Sequence, residues 1–276
     1  ARLRLSRRKV QEAKHQRALK YKGYMIDLDG TIYRGKERIP AAKDFVERLQ
    51  AAQIPFLFLT NNTTKSPEDV VKNLAENHDI HVQPAQVYTP ALATAAYLTD
   101  LNHGDVTGKS IYIIGELGLK QALLDTGLRL NEVDPDYVVV GLDYDVTYHK
   151  FELATLAIKR GAKFIGTNAD TNLPNERGLV PGAGSLIALV ERSTQQRAFY
   201  IGKPEPTIME KALKKMGLPK EAVAMVGDNY NTDIKAGLNA GIDTILVYTG
   251  VSTRDYVSKQ VHQPTHQIDA LTDWEV

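Results

Sequence analysis

Residues 24–31 read Tyr24-Met25-Ile26-Asp27-Leu28-Asp29-Gly30-Thr31, an apolar run that closes on two carboxylates, a glycine and a hydroxyl. A short apolar stretch ended by such a turn signal predicts a strand covered on both faces, as strands of a parallel sheet are. The pattern recurs. Candidate strands fall at 24–28, 55–59, 110–114, 137–140, 163–165, 198–201, 222–226 and 244–247, and helical patterns lie between them at 41–52, 90–101, 117–126, 147–160, 182–193, 206–216 and 232–240. Ser66-Pro67-Glu68-Asp69 starts a further helix, with a capping hydroxyl, a proline in the first turn and two acids at the positive end of the helix dipole. Strands alternating with helices predict an α/β fold.

The 276 residues suffice for two domains or one large α/β unit, and a composition of 43% hydrophobic and 24% charged residues is that of a globular protein. The absence of cysteine rules out disulfides, thiolate metal sites, iron–sulfur clusters and a cysteine nucleophile. No apolar run approaches the roughly 20 residues that span a bilayer, which excludes a membrane pump or transporter. The net charge of +1 conceals an asymmetry. Residues 1–20 hold five Arg, three Lys and one acid, Glu12, so this segment carries +7 and the remainder −6. Such a basic lead can bind nucleic acid or anionic lipid, or act as a transit peptide. Because Ala1 is not an initiator methionine, residues 1–20 are read as a vector-derived or solvated extension, with neither nucleic acid nor membrane as an expected partner.

In an open parallel sheet ligands bind beyond the carboxyl ends of the strands, so those ends carry the chemistry. Four stand out: Asp27-Leu28-Asp29-Gly30-Thr31, Thr60-Asn61-Asn62, Gly202-Lys203-Pro204 and Gly227-Asp228-Asn229 with Asp233 following. They are expected at one edge of one sheet, with a separate layer inserted between Asn62 and Lys203. Asp27 and Asp29 lie on one side of an extended chain. Close to Asp228 they are tolerable only if a cation sits between them or one stays protonated. Oxygen donors suit a hard cation such as Mg²⁺, with Asp27 and Asp228 as the carboxylate pair. If Asp29 gives the metal only its carbonyl, its side chain stays available to carry a proton. Thr60 and Asn61 offer neutral donors for phosphate oxygens, and Lys203 adds a point charge. Together these groups can position and neutralise a phosphoryl group.

The four strings, with Gly227-Asp228-Asn229-Tyr230-Asn231-Thr232-Asp233 as the last, resemble in order the four motifs of haloacid dehalogenase-like phosphohydrolases. The paired asparagines after Thr60, Gly166-Thr167-Asn168-Ala169-Asp170 and Pro181-Gly182-Ala183-Gly184 resemble the NagD-type and p-nitrophenyl phosphatase branch. The resemblance covers about residues 21–274. It implies a Mg²⁺-dependent phosphatase acting on small phosphomonoesters of the sugar phosphate, nucleotide or p-nitrophenyl phosphate type. Asp27 would be the nucleophile and form an aspartyl-phosphate, with Asp29 as the acid–base and Lys203 as the catalytic cation. Asp27, Asp29 and Asp228 would hold Mg²⁺, with Asp233 and Asn229 behind them. Thr60, Asn61, Asn62, Asn168 and Asp170 would contact substrate, although hinge hydrogen bonding is an equal reading for Asn168 and Asp170.

The resemblance further implies a Rossmann-like parallel-sheet core, 21–84 and 181–276, with a large α/β cap at 85–180. Hinges are expected at Thr89-Pro90 and at 179–181. Such caps select the leaving group and often mediate a homodimer, and the implied setting is cytoplasmic. Asp143-Tyr144-Asp145, Tyr148 and His149 read either as ligand contacts or as a solvated helix start. His78, His81, His103, His262 and His266 show no metal-ligand spacing and are expected at the surface. Asp29 argues against a dehalogenase, the insertion against a phosphomutase, and both against a phospho-acceptor signalling domain.

Overall fold

A computed structural model of the chain describes residues 6–10 and 21–276. Of the basic lead only residues 6–10 fall within the described residues, where they are helical and exposed.

Six strands form the first sheet, in the spatial order His266–Ile268, Asp243–Val247, Val223–Gly227, Gly23–Asp27, Phe56–Leu59, Val87–Tyr88. The four pairings from His266–Ile268 through Phe56–Leu59 are parallel. Gly23–Asp27 lies in the middle and is buried throughout, which explains its unbroken apolar run. From it the chain winds outward through Phe56–Leu59, then returns to the opposite flank for Val223–Gly227. That reversal places a crevice beyond the carboxyl ends of Gly23–Asp27 and Val223–Gly227. Helix Pro40–Ala51 starts on a proline and buries Ala42, Phe45, Val46 and Leu49, the spacing of one helical face. Its Arg48 donates to the carbonyls of Leu271 and Trp274, while the Trp274 indole donates to the Tyr24 hydroxyl at 3.0 Å. These bonds tie the end of the chain to the central strand.

Five strands form the second sheet, in the order Phe199–Tyr200, Lys163–Gly166, Tyr137–Val140, Ser110–Ile114, Arg129–Leu130, and all four pairings are parallel. It too reverses direction, between Ser110–Ile114 and Tyr137–Val140. Beside these sheets stand two antiparallel hairpins, Tyr33–Arg34 with Glu37–Arg38 and Asn172–Asn175 with Gly178–Pro181. No described helix is long and apolar enough to cross a membrane.

The chain divides into two compact units. One takes the chain up to Leu59, Val71–Val87 and Ala212–Val276; the other takes Thr60–Val70 and Tyr88–Lys211. The sequence places the inserted layer at 85–180, whereas the second unit runs on to Lys211. Packing is the reason. Ile187 and Val190 of helix Ala183–Thr194 bury in one cluster with Val138, Val140 and Phe164, and Phe199–Tyr200 pairs with Lys163–Gly166. Of the two expected hinges, Thr89 caps helix Pro90–Leu101 and 179–181 lies in a hairpin strand. The helix expected over 232–240 is split into a π-helical turn, Tyr230–Ile234, and a short α-helix, Lys235–Ala240. Val87–Tyr88 and His266–Ile268 are too short for periodicity to register.

Candidate active site

At the first sheet's reversal Asp27 ends its strand and Asp228 follows the Val223–Gly227 strand. With Ile26 level with Val226, the two carboxylates leave the sheet almost side by side. Asp233 joins them from the π-helical turn, a distortion that often marks functional positions. One oxygen from each of Asp27, Asp228 and Asp233 lies within 4.8 Å of the others. The sequence places Asp233 behind the ligands. The structure sets it in the cluster itself, fully buried, with Asp228 1% exposed.

The surroundings hold these carboxylates in place. The Thr31 hydroxyl stands 3.3 Å from Asp27 Oδ2 and 3.2 Å from Asp228 Oδ1. The Val251 N–H donates to Asp228 Oδ2 at 2.8 Å, and the Asn229 N–H donates to Asp233 Oδ2 at 3.1 Å. Asn229 itself turns its side chain to the Asn231 N–H. Glycine is required where the backbone passes Asp228. A Cβ on Gly30, which has φ +87°, would lie 2.2 Å from Asp228 Oδ2, and one on Gly250 would lie 1.9 Å from it. Burial raises the Asp228 carboxyl above the usual carboxylate range and Asp233 raises it further, against hydrogen bonds involving Asp27, Val251 and Thr31. Three desolvated carboxylates resist ionising together, and a divalent cation among them relieves that cost. The donors are all oxygen, the set a hard cation takes, so the residues present fit such an ion.

Asp29 stands two residues beyond Asp27, just past the end of the strand. It is exposed and accepts from the Gly35 N–H at 3.3 Å, in the hairpin that Tyr33 opens. The Tyr33 carbonyl in turn accepts from the Gly30 N–H at 2.7 Å. Burial, followed by the charges of Asp29 and Asp27, drives the Tyr33 phenol well above its ordinary range. Its ring stacks on His78 with centroids 4.7 Å apart. Here the sequence expectation is corrected: His78 is 3% exposed, because it ends helix Pro67–His78 on the side that Tyr33 covers. Burial lowers its pKa, with the Gly35 backbone opposing and Arg38 assisting.

The second unit holds the remaining site residues. The Thr60 hydroxyl accepts from the Asn62 N–H at 3.1 Å, and Asn62 Oδ1 accepts from the Thr64 N–H and hydroxyl. Asn62 thus closes its own turn. The Asn61 amide is engaged with the main chain of Lys203, which is 2% exposed. Asn168 and Asp170 belong to the same cluster. The sequence pattern places Lys203 at the same sheet edge as the carboxylates, and the structure corrects this. Lys203 follows Phe199–Tyr200, which pairs with Lys163–Gly166 of the second sheet, so the four strings end strands of two sheets.

Asp143 is buried and forms an ion pair with Lys150 at 2.8 Å, while Tyr144, Tyr148 and His149 are exposed. Sequence reasoning gave no role to Thr31 or to Gly250 and Val251. The latter pair follows Asp243–Val247, the strand beside Val223–Gly227, and the strand-end rule applied there would have found them.

Family models of haloacid dehalogenase-like hydrolases match residues 24–129 and 200–274. The chain is 46% identical over 254 residues to a 5'-nucleotidase of Bacillus subtilis, covering 92% of this chain and 97% of that protein. It is 48% identical to an acid sugar phosphatase of Staphylococcus aureus, over 92% of this chain and 96% of the other. Its fold superposes with a TM-score of 0.86 on a single mutant of the thermostable NPPase of Geobacillus stearothermophilus, at 49% identity and covering 93% and 98% of the two chains. With the motifs in order, the carboxylates gathered at the sheet's reversal and relatives matched over nearly their whole length, the chain belongs to the haloacid dehalogenase-like hydrolases, in their p-nitrophenyl phosphatase and NagD-type branch.

Proposed function

We propose that the protein is a Mg²⁺-dependent phosphatase that hydrolyses small phosphomonoesters, of the sugar phosphate, nucleoside monophosphate or p-nitrophenyl phosphate class, through a phosphoryl group carried on Asp27. The observation that carries this reading is the convergence of Asp27, Asp228 and Asp233 beyond the central strands. The names of the relatives, a nucleotidase, an acid sugar phosphatase and an NPPase, support the substrate class.

In the proposed reaction an Asp27 carboxylate oxygen attacks phosphorus and the bond to the ester oxygen breaks. Asp29 gives that departing oxygen a proton. Its exposure on the turn after the strand lets it meet both leaving group and water. Water then attacks the same phosphorus and hands a proton back to Asp29, and the bond to Asp27 breaks to release inorganic phosphate. Asp27 and Asp228, with the Asp29 main-chain carbonyl, would hold Mg²⁺, with Asp233 packed against them. When bound, the ion neutralises the clustered carboxylates and the phosphate oxygens. Thr60 supplies a hydroxyl for a phosphoryl oxygen, and Lys203 supplies positive charge. The proposed setting is the cytoplasm, acting on free metabolites.

The test is hydrolysis of p-nitrophenyl phosphate with Mg²⁺. Asp27→Asn keeps the shape of the side chain but removes the nucleophilic charge, and turnover is expected to fall by at least about 10³-fold. Excess chelator should stop the wild-type enzyme and Mg²⁺ restore it. Turnover by Asp27→Asn within tenfold of wild type would overturn the proposal.

A further inference from the structure

We propose that Asn61, Asn168 and Asp170 are positioning residues whose side chains act through Lys203, fixing the main chain that carries its ammonium group, and do not themselves contact substrate. This rests on the reading of Lys203 as the cation of the phosphoryl site.

The Asn61 side chain pairs with residue 203 as a neighbouring strand would. Its Oδ1 accepts from the Lys203 N–H at 2.9 Å, and its Nδ2 donates to the Lys203 carbonyl at 2.8 Å. The second proton on Nδ2 points to Asp170 Oδ1 at 3.3 Å. An amide has two N–H donors, so both are committed before any phosphate oxygen arrives. One layer behind, Asn168 Nδ2 donates to the Asn61 carbonyl at 2.9 Å, and Asn168 Oδ1 accepts from the Asp170 N–H at 3.0 Å. The Gly202 N–H donates to the Thr167 carbonyl at 2.8 Å. The result is a closed set of bonds running from the 167–170 loop through Asn61 to both sides of Lys203.

Three glycines let this set close. A Cβ on Gly202 would lie 2.7 Å from Asn61 Oδ1 and 2.9 Å from the Asn168 Cβ. One on Gly182 would lie 2.5 Å from the Asp170 carbonyl oxygen, and one on Gly184 would lie 2.3 Å from that of Ala169. The Pro181-Gly182-Ala183-Gly184 string therefore reads as the cradle of the 168–170 loop. Asp170 also senses the cation: burial raises its carboxyl above the usual range, while Asn61 and the Lys203 charge pull it back.

The physical need follows from the lysine itself. Its ammonium is a point charge on a stem of four rotatable carbons, and misplacing a catalytic group by about 1 Å costs on the order of 10²-fold in rate. Pinning both the N–H and the carbonyl of residue 203 fixes where that stem begins.

The experiment is a double-mutant cycle on p-nitrophenyl phosphate hydrolysis, with Asn61→Ala and the isosteric Asn168→Asp each made in the wild type and in Lys203→Ala. Each single change is expected to lower kcat about tenfold with KM within about twofold of wild type, because an orienting interaction is lost rather than a ground-state contact. On the Lys203→Ala background the same changes should alter kcat/KM by less than about twofold. A substrate contact would instead raise KM, and a purely structural role would lower the melting temperature without coupling to Lys203. Losses that add in full on the Lys203→Ala background, or singles that leave kcat unchanged, overturn the proposal. If Asn61→Ala does not fold, Asn168→Asp, which keeps shape and the acceptor for Asp170, carries the cycle alone. Lys203→Ala is itself expected to lose about 10²-fold or more in kcat. If it does not, the reading of Lys203 fails, an outcome distinct from additive losses on an already impaired background.

Discussion

The two sheets are wound by the same rule and put different things at the same place. In the first, the reversal between Gly23–Asp27 and Val223–Gly227 gathers three carboxylates, and Gly30 and Gly250 admit Asp228. In the second, the reversal between Ser110–Ile114 and Tyr137–Val140 is also flanked by glycines, Gly115 and Gly141. A Cβ on these would lie 2.6 and 2.9 Å from Leu119 Cδ2. Leu119 is fully buried, so the crevice that open α/β topology offers is filled by a leucine. The buried carboxylate that follows Tyr137–Val140, Asp143, has Lys150 at 2.8 Å. Topology creates a place for a ligand; the side chains at the strand ends decide whether one is taken.

The comparison breaks most easily at the glycines. Gly250→Ala forces a methyl against Asp228 Oδ2, and Mg²⁺ affinity with turnover is expected to fall about 10–100-fold, read by metal titration of the activity. If that variant binds and turns over like wild type, the crevice of the first sheet is looser than its geometry says. Next in size is the leucine plug. Leu119→Ala should cost about 2–5 kcal/mol in chemical denaturation, while the folded fraction keeps its kcat. A change in turnover without a change in stability would mean that the second crevice serves the reaction.

Smaller again is Gly141→Ala, the counterpart of Gly250→Ala. Its methyl meets the flexible end of Leu119 and the Thr167 side chain, and a loss of about 1–3 kcal/mol in stability with Mg²⁺ affinity unchanged is expected. The least effect concerns His78, buried under Tyr33 beside the first crevice. Its folded pKa lies below its unfolded one, so the unfolded chain binds the extra proton. Stability is then fully present above the unfolded value and falls as pH drops through the folded one. His78→Phe should therefore show a smaller fall in melting temperature than wild type between pH 7 and pH 5. An equal fall in both proteins would show that His78 does not carry the acid sensitivity.

Much of this was legible in advance, for a physical reason. Strands 110–114 and 137–140 were readable because a strand buried on both faces must be apolar throughout. Asp27 and Asp228 stand out because a buried strand that closes on a charge needs an explanation, whereas Lys203 lies three residues past Phe199–Tyr200, an edge strand that is not buried. His78 was not legible, since nothing in its neighbours' spelling says that Tyr33 will cover it. Phe199–Tyr200 was legible as a strand but not as a member of the second sheet, because pairing partners are not local.

By itself, then, the sequence determined the α/β class, the absence of any thiol chemistry and the residue types that could handle a phosphoryl group, because burial and strand periodicity are written locally. Only the tertiary structure decided that Asp233 stands in the carboxylate cluster, that Thr31 and Val251 hold it, that Asn61 spends its amide on Lys203, and that Leu119 closes the second crevice. Each of these depends on which distant segments meet, and so on packing across the whole chain.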